Sequence, residues 1–420
     1  MTIACGIFKR LTYQKESTFG VAPSPGVGQR MRRTSSTLSL NKDSFASQEI
    51  RTSQQVVDLR HGVHRVGGGI NGELSLGTWA DFLAAAVRKD WTAGPSGSQA
   101  DFVGITASAA TRTFTVTSGS FLGKGFKIGD VVRFTGLGNV SNVSKNFRVT
   151  NLSATTMTVA EAVGDDAGPN TTFTVAVPGK KVWVPATAHN NDSFSIEHYF
   201  SDLDETELFL GCRLSSLKLS LPATGLATVG TTFIGQDMVT YSGASSPYFT
   251  SPTAESHGGA LASVNGTLRV GNADVATVTS LEINIAADLT STSAVGSNML
   301  ASIVPGLVKV TGQMSVLFDG TTLRNHFLDE DELSLMVTLA AAGAAPRETL
   351  AIVLPRVKLT SASKDDNAKS VLQTVQFQAL ENTADGTGLP TEHTTIMGIL
   401  TNISASMLEM ALTAPACICS

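Results

Sequence analysis

Leu214-Ser215-Ser216-Leu217-Lys218-Leu219-Ser220-Leu221 alternates apolar and polar side chains from Ser216 onward. Because successive side chains of a β-strand point to opposite faces, this pattern predicts a strand with one buried and one solvated face. Ser280 to Ile285 repeats the pattern, and a Gly-Leu step follows each segment, at Gly225 and at Gly306. The repetition indicates either two similar strand pairs in one sheet or alternation that recurs by chance.

The composition also favours strands. Aromatic residues make up only 6% of the chain, whereas Gly, Thr, Ser and Val are plentiful, which is typical of many short strands and turns. We therefore predict a mainly β protein, and a length of 420 residues predicts one large domain plus a smaller one. Further strands are predicted at Ser193 to His198, Thr228 to Ile234, Leu268 to Val270, Thr277 to Ile285, Val308 to Phe318, Leu333 to Leu339 and Leu350 to Leu359.

Helical periodicity is confined to two short stretches. Trp79, Phe82, Leu83, Ala86 and Val87 recur at spacings of three and four residues, which predicts a helix with one face packed on a sheet. Thr78 is the expected N-cap of this helix, with Asp81 three residues later as in a capping box. A second short helix is predicted over Thr322 to Leu328.

A small inserted unit is indicated by two composition changes. Linker-like stretches, Thr92 to Ala100 and Pro178 to His189, flank a run of short predicted strands, which is the pattern of a small β-barrel inserted into a host domain. These strands are Thr113 to Thr117, Val131 to Thr135, Phe147 to Leu152, Thr156 to Val159 and Thr172 to Val177.

The region before the predicted helix contains Gly- and Pro-rich segments. Phe8 to Gly28 predicts an extended arm that needs a partner surface to stay ordered. Leu38 and Leu40, then Val56, Val57 and Leu59, predict strands around a polar loop.

Several classes of protein are disfavoured. The formal net charge is −5 and the Lys and Arg residues are dispersed, so the chain lacks the basic patch of a high-affinity DNA-binding protein. Four cysteines, Cys5, Cys212, Cys417 and Cys419, are too few and too scattered for a disulfide framework. Neither an export signal nor an apolar run of membrane-spanning length is indicated.

The sequence contains partial matches to motifs of catalytic and cofactor sites, but the residues around them do not fit such sites. Gly67, Gly69 and Gly72 match G-x-G-x-x-G, but a predicted strand follows them instead of the helix that binds a pyrophosphate. His61 and His64 lie on a predicted loop without helically spaced zinc ligands, and a nucleophile elbow and a phosphate loop are absent from the sequence. We therefore predict no catalytic residue, no metal site and no cofactor.

Lys15-Glu16-Ser17-Thr18-Phe19-Gly20-Val21-Ala22-Pro23 resembles the start of the major tail tube proteins of long-tailed, siphovirus-type phages. The resemblance extends over most of residues 10–380, and it rests on a succession of segments instead of one diagnostic motif. The other segments are Ser53 to Leu59, Gly67 to Leu76, Trp79 to Ala86, Ser193 to Glu197, Phe209 to Leu214, Phe233 to Gly235, Thr279 to Asn284, Gly312 to Asp319 and Leu354 to Lys358.

The resemblance implies a β-sandwich or partly closed barrel with a flanking α-helix. It implies a virion protein, assembled in the host cytoplasm, whose hexameric rings stack into the hollow tail tube through which phage DNA passes. Expected partners are further copies of the chain, the tape measure, tail tip and terminator proteins, and DNA through transient non-specific contacts, with no membrane involved. The expected organisation is an N-terminal arm (1–30), a tail-tube β domain (31–97 and 187–388), an inserted β domain on the tube exterior (98–186) and a C-terminal tail (389–420).

Two sets of residues are expected to matter in such a tube. Rings close through unpaired sheet edges, whereas stacking requires projecting segments, for which we predict the N-terminal arm and the loop Arg51 to Gly69. A lumen without cationic phosphate contacts is expected to be acidic or neutral. The predicted inter-ring residues are Lys15, Phe19, Val56, Asp58, His61 and Arg65, and the predicted lumen residues are Glu197, Glu282 and Asp288.

Two other classes of protein compete with this interpretation. A virion decoration or carbohydrate-binding β-sandwich protein would share the Thr/Gly-rich composition, but clustered exposed aromatics would be expected, whereas Trp79, Trp91 and Trp183 are dispersed. A β-rich hydrolase would need a catalytic cluster, and the sequence shows none.

Overall fold

The computed structural model describes residues 3–401 except 144, 256–258, 272, 344–346, 366–369 and 384–389. The predicted mainly β class is confirmed, and the described residues also include two short α-helices, α1 (Ala80–Val87) and α2 (Thr322–Leu328). The strands before residue 184 are β1 (Lys9–Lys15), β2 (Gln29–Arg30), β3 (Ser35–Ser36), β4 (Ser39–Ala46), β5 (Leu59–Glu73), β6 (Thr92–Ala93), β7 (Ser96–Ser98), β8 (Val103–Ser108), β9 (Thr113–Ser118), β10 (Val131–Thr135), β11 (Phe147–Leu152), β12 (Thr156–Val159), β13 (Asp166–Asn170), β14 (Thr174–Ala176) and β15 (Gly179–Trp183). Those that follow are β16 (Phe194–Phe200), β17 (Glu205–Pro222), β18 (Thr228–Gly235), β19 (Asp237–Ser242), β20 (Gly266–Val270), β21 (Ala273–Asp274), β22 (Val278–Ala286), β23 (Thr290–Ser293), β24 (Leu300–Val304), β25 (Lys309–Leu317), β26 (Glu332–Ala340), β27 (Thr349–Lys364), β28 (Leu372–Ala379) and β29 (Met397–Thr401).

Strand β17 connects the two parts of the main β-structure. Its first half pairs with β16 and β19, and its second half pairs with β18 and β22. The change of partners occurs at Gly211, whose φ of +64° lies in the left-handed region. One continuous strand therefore belongs to both sheets, and Gly211 supplies the bend between them.

The first sheet has the order β2-β1-β16-β17-β19. The second has the order β4-β5-β18-β17-β22-β25-β28-β27-β26-β20-β21, and β29-β15-β6 extends it from the first half of β27. Every one of these pairs is antiparallel, and the sheets are sandwich-like without closing into a barrel.

Helix α1 covers the main core. The Phe82 ring lies 4.8 Å from Tyr13, 5.0 Å from Phe194 and 5.5 Å from Phe233, measured between centroids. Tyr13 also donates a hydrogen bond from its hydroxyl to Asp81 (2.9 Å), and burial raises the pKa of both groups. The predicted helix is confirmed, but its N-cap is Trp79 and no side chain caps it. Thr78 instead accepts a hydrogen bond from the Ser75 hydroxyl (3.0 Å), so the predicted capping box is wrong.

A separate sheet, called the small sheet below, contains β7 to β14 in the order β13-β8-β9-β12-β11-β10-β14-β7. Among the described residues its edge strands β13 and β7 do not pair, so it is an open sheet and not the expected small barrel. It encloses its own aromatic core, in which Phe114 and Phe134 stack at 4.1 Å.

Strands β26, β27 and β29 have two buried faces. One face, with Leu335, Val337, Leu350, Ile352 and Leu400, packs in the main core. The other face, with Met336, Ala351, Val353, Met397 and Ile399, packs in the core of the small sheet. The small sheet therefore shares an apolar interface with the main β-structure.

Four local predictions are corrected by this architecture. Residues 397–401, assigned to a tail, form β29, because this apolar segment is buried in the sheet. Residues 179–183, assigned to the insertion, pair with it as β15. The rest of the predicted tail from residue 402 lies outside the described residues. The N-terminal segment is no free arm, since β1 lies between β2 and β16. Residues 59–69 are strand instead of loop, while Val56 and Val57 lie in the irregular connection before it.

Gly211→Ala is expected to destabilise the fold by about 3 kcal/mol or more, because a Cβ adds left-handed strain and also a clash. It would lie 2.9 Å from Gln236 Cβ and 3.2 Å from the Phe19 ring. Gly243→Ala is the matched control, since Gly243 also has a positive φ (+55°) but has no atom within 4 Å of an added Cβ. Gly243→Ala should lower the free energy of unfolding by only about 1 kcal/mol. Chemical denaturation of both variants measures the difference, and equal losses would contradict the role assigned to Gly211.

Candidate functional site

One margin of the main β-structure is a long hairpin with many exposed residues, called the hairpin below. It contains β4, the connection 47–58 and the first half of β5, with Ala46 opposite Leu59 at its outer end. Ile50 at its tip is fully exposed, and Val56 is 72% exposed. Phe45 and Leu59 are also more than half exposed. These exposed apolar side chains within an otherwise polar segment make the hairpin a candidate contact surface.

The hairpin contains four of the predicted inter-ring residues. Val56 and Asp58 lie in its connection, whereas His61 and Arg65 lie on β5. Arg65 donates to Asp43 across the strands (3.1 Å), and Asp58 accepts from Arg60 (2.7 Å). These exposed pairs keep the sides of the hairpin solvated and leave its exposed apolar side chains uncovered.

Lys15 and Phe19, the other two predicted inter-ring residues, make contacts within the subunit. Lys15 forms ion pairs with Asp90 (3.1 Å) and Asp192 (2.9 Å). The Phe19 ring lies 4.6 Å from the guanidinium carbon of Arg213. The structure therefore separates these two residues from the hairpin and uses them to hold the N-terminal segment in place.

Glu16, which the sequence did not single out, fixes that segment. One carboxylate oxygen accepts from the Ser195 hydroxyl (2.8 Å) and from the backbone N–H of Gly211 (2.8 Å). The other accepts from the Ser193 hydroxyl (2.6 Å) and from the backbone N–H of Gly20 (2.9 Å). Four donors converge on this buried carboxylate, so it joins the N-terminal segment to the bend of β17.

The second sheet has one buried face and one polar face. The polar face, as the term is used below, contains outward side chains from five adjacent strands, and hydroxyl and amide groups predominate in it. Its residues are Thr228 and Thr232 from β18, Ser216, Lys218 and Ser220 from β17, Ser280, Glu282 and Asn284 from β22, Thr311, Gln313 and Ser315 from β25, and Thr374, Gln376 and Gln378 from β28.

The charges on and beside the polar face are balanced locally. Glu282, a predicted lumen residue, accepts from Lys218 (3.0 Å) and from the Gln313 amide (3.3 Å). Asp288, another predicted lumen residue, lies beyond the end of β22 and pairs with Lys309 (3.2 Å). Both acids are thus neutralised by a neighbouring lysine, which makes this surface close to neutral.

Glu197, the third predicted lumen residue, is buried within the subunit. Its carboxylate accepts from the backbone N–H groups of Tyr248 (2.6 Å) and Phe249 (3.3 Å), and burial raises its pKa. Alternation along β16 could not reveal this, because both faces of that strand are covered. Glu197 therefore holds the segment at 248–249 and offers no charge to a channel.

The described residues contain no group of three or more His, Cys, Asp or Glu side chains arranged to hold a metal ion. They also contain no helix that is long and apolar enough to cross a membrane. His61 and His64 lie on β5, a strand and not the predicted loop, and His64 lies beside Asp237 with its Nε2 2.9 Å from the carboxylate.

Comparison with known proteins identifies one matching family. A family model described as phage tail tube protein matches residues 9–379, which include the hairpin, the small sheet and the polar face. A search of the curated proteins found no match.

Glu16→Gln is expected to lower the free energy of unfolding by about 1–3 kcal/mol, because an amide cannot accept all four hydrogen bonds and leaves buried donors without partners. Glu49→Gln is the control, since Glu49 is exposed and pairs only with Arg51 two residues along the chain. Glu49→Gln should lower the free energy of unfolding by about 0.5 kcal/mol or less. Chemical denaturation measures both values, and a Glu16→Gln variant as stable as the control would show that the convergent hydrogen bonds contribute little.

Proposed function

Since the chain belongs to the phage tail tube protein family, we propose that it polymerises as stacked hexameric rings into the hollow tube through which phage DNA passes. The chain is a structural protein of the phage tail, and the proposal of stacked hexameric rings around a bore rests on its surfaces. The single observation that carries it is the coexistence of a long neutral polar face with a hairpin that exposes Phe45, Ile50, Val56 and Leu59. We further propose assembly in the host cytoplasm, with tape measure, tail tip and terminator proteins as partners.

Ring closure needs a heterologous contact between two different surfaces of the same subunit. The described strands offer sheet margins for it, because β4 ends the second sheet at one side and β19 ends the first sheet. Unpaired backbone groups at such margins pair readily with a neighbouring strand. Adjacent subunits joined in this way would form one continuous barrel around the bore.

Stacking of rings is assigned to the hairpin. The exposed apolar segment at Ile3, Ile7 and Phe8 supplies a second candidate contact, and it is held against residues 201–202 by hydrogen bonds from Ser201 to Phe8 and from Cys5 to Asp202. Covering these side chains in the assembled tube would contribute about 25 cal/mol per Å² of apolar surface.

The polar face is proposed as the wall of the bore. Passing DNA presents a dense row of phosphates, so fixed cations would bind it and slow its movement, whereas hydroxyl and amide groups with paired charges would not. Glu282 with Lys218 on this face, and Asp288 with Lys309 beside it, are the proposed charged groups of the wall.

The small sheet is proposed as the inserted domain on the tube exterior, attached through β26, β27 and β29. No observation favours a carbohydrate-binding function. Trp79 is buried, Trp91 donates its indole N–H to the carbonyl of Ala80 (2.9 Å), and Trp183 lies under Lys89. The three tryptophans are therefore occupied within the subunit.

Ile50→Asp is expected to prevent tube growth while leaving the subunit folded, because it replaces a fully exposed apolar side chain of the hairpin with a charge and does not touch the core. Val140→Asp is the matched control, since Val140 is an 83% exposed residue of the small sheet region. Electron microscopy of the purified protein distinguishes tubes, rings and monomers, and thermal unfolding checks the fold. Tubes of normal length from Ile50→Asp would contradict the assignment of the hairpin to stacking.

Gln376→Lys is expected to slow DNA ejection at low salt, because it adds a cation to the polar face of every subunit. The delay should shrink as salt is raised, since phosphate contacts of this kind depend on ionic strength. Val140→Lys adds the same charge to the small sheet region and should leave ejection unchanged. The measurement is the ejection rate of phage particles against salt concentration, and equal rates for the two variants at low salt would exclude the polar face as the wall of the bore.

A further inference from the structure

A buried lysine and a buried aspartate meet where the small sheet joins the main β-structure. Lys181 is on β15, and Asp130 directly precedes β10 of the small sheet. Asp130 is completely buried and Lys181 is 3% exposed. Burial of a charged pair costs several kcal/mol per ion, so the site calls for a physical explanation beyond ordinary ion pairing.

The contact between the two side chains is unusually close. Lys181 Nζ lies 2.5 Å from Asp130 Oδ1, although Oδ1 has no hydrogen-bond partner with suitable angles. The other oxygen, Oδ2, accepts from the backbone N–H of Lys127 (2.9 Å), which fixes the orientation of the carboxyl group. The amine nitrogen is therefore held beside the carboxyl carbon to which Oδ1 is bonded.

A third ionisable group lies next to the pair. Glu392 Oε2 is 4.0 Å from Lys181 Nζ, and the Glu392 side chain is 18% exposed. At 4.0 Å the carboxylate lies beyond direct hydrogen-bond reach of the amine, so a proton passes between the two groups through one bridging water. The three groups come from segments far apart in the sequence, at 130, 181 and 392, and the fold brings them together.

The surroundings are apolar. Gly129, the residue before Asp130, packs against Val353 and Met397. A Cβ added to Gly129 would lie 2.9 Å from both methyl carbons of Val353 and 3.4 Å from Met397 Cε. Ile399 is opposite Lys181 in the pairing of β15 with β29. Desolvation raises the pKa of Asp130, although Lys181 and the Lys127 N–H oppose that change. Burial of Asp130 therefore favours its neutral acid form, which is the form of a carboxyl group that condenses with an amine.

We propose that Lys181 and Asp130 form an intramolecular isopeptide bond. Lys181 Nζ attacks Asp130 Cγ, the Nζ–Cγ bond forms, and the bond from Cγ to a hydroxyl oxygen breaks. Glu392 takes the amine proton and delivers it to the departing hydroxyl, which leaves as one water molecule. No oxidant, reductant or activated co-reactant is needed, because the atoms balance as amine plus carboxylic acid giving amide plus water.

The product would replace a buried ion pair with a neutral amide and would anchor the small sheet covalently to β15. Proximity supplies much of the barrier reduction, since the reacting groups are held in contact by a rigid fold. The link would close the chain between residues 130 and 181, so it would also limit the freedom of the unfolded chain. This proposal does not depend on the assignment of the polar face or of the hairpin.

Mass spectrometry of the purified wild-type chain under denaturing conditions tests the proposal without any variant. The chain should be lighter by one water molecule than its sequence requires. Proteolysis should then yield one branched peptide that joins the segment around Asp130 to the segment around Lys181. A chain of full mass, or a water deficit without the branched peptide, would overturn the proposal.

Three variants assign the roles. Lys181→Arg keeps a positive charge but lacks the amine, so it should have the full mass of its own sequence. Glu392→Gln should reach the cross-linked state at least tenfold more slowly, because it removes the proton acceptor. Lys180→Arg, at the adjacent position, should cross-link like wild type. Normal cross-linking of Lys181→Arg would overturn the assignment of Lys181, and an unchanged rate for Glu392→Gln would overturn that of Glu392.

Discussion

The subunit depends on a single bend in one strand and on the carboxylate that holds it. Gly211 turns β17 from one sheet into the other, and Glu16 accepts the N–H of that residue. Glu16 also accepts from Ser195 on β16 and from Ser193, which directly precedes that strand. A buried carboxylate is costly unless donors surround it, and here they come from three separate segments. The same group therefore sets the angle of the sheets and keeps the N-terminal segment within the fold.

The sequence was informative wherever one face of a strand is solvated. Alternation in β17, β22 and β25 identified their buried and polar faces, and the helix at residue 80 was visible from its apolar spacing. Where both faces are buried, the pattern still predicted β16, β26 and β27 as strands, but it could not tell which of their side chains are solvated. Glu197 on β16 was placed in a lumen for that reason, and β29 was mistaken for a tail.

The candidate site was predictable only in its surface parts. Val56, Asp58, His61 and Arg65 do lie on a projecting segment, because polar and isolated apolar residues near Gly-rich sequence mark exposed chain. Glu16 and Asp130 were not identifiable from the sequence. Glu16 meets four donors and Asp130 meets a lysine about fifty residues away, but the residues next to them in the sequence look like those around a solvated carboxylate. Contacts between distant segments depend on tertiary pairing, which a single sequence does not display.

The sharing of β26, β27 and β29 between two cores constrains how the small sheet evolves and moves. Met336, Ala351, Val353, Met397 and Ile399 must fit the small sheet, while their alternate neighbours must fit the main core. Interiors are close-packed, so a change on one face is transmitted to the other through a strand with little freedom to shift. An inserted unit tethered only by two linkers would swing freely, whereas one seated on a shared strand follows the main sheet as a rigid extension. Forces on the small sheet therefore reach β27 directly, and through β28 and β25 they reach the strands that carry the polar face.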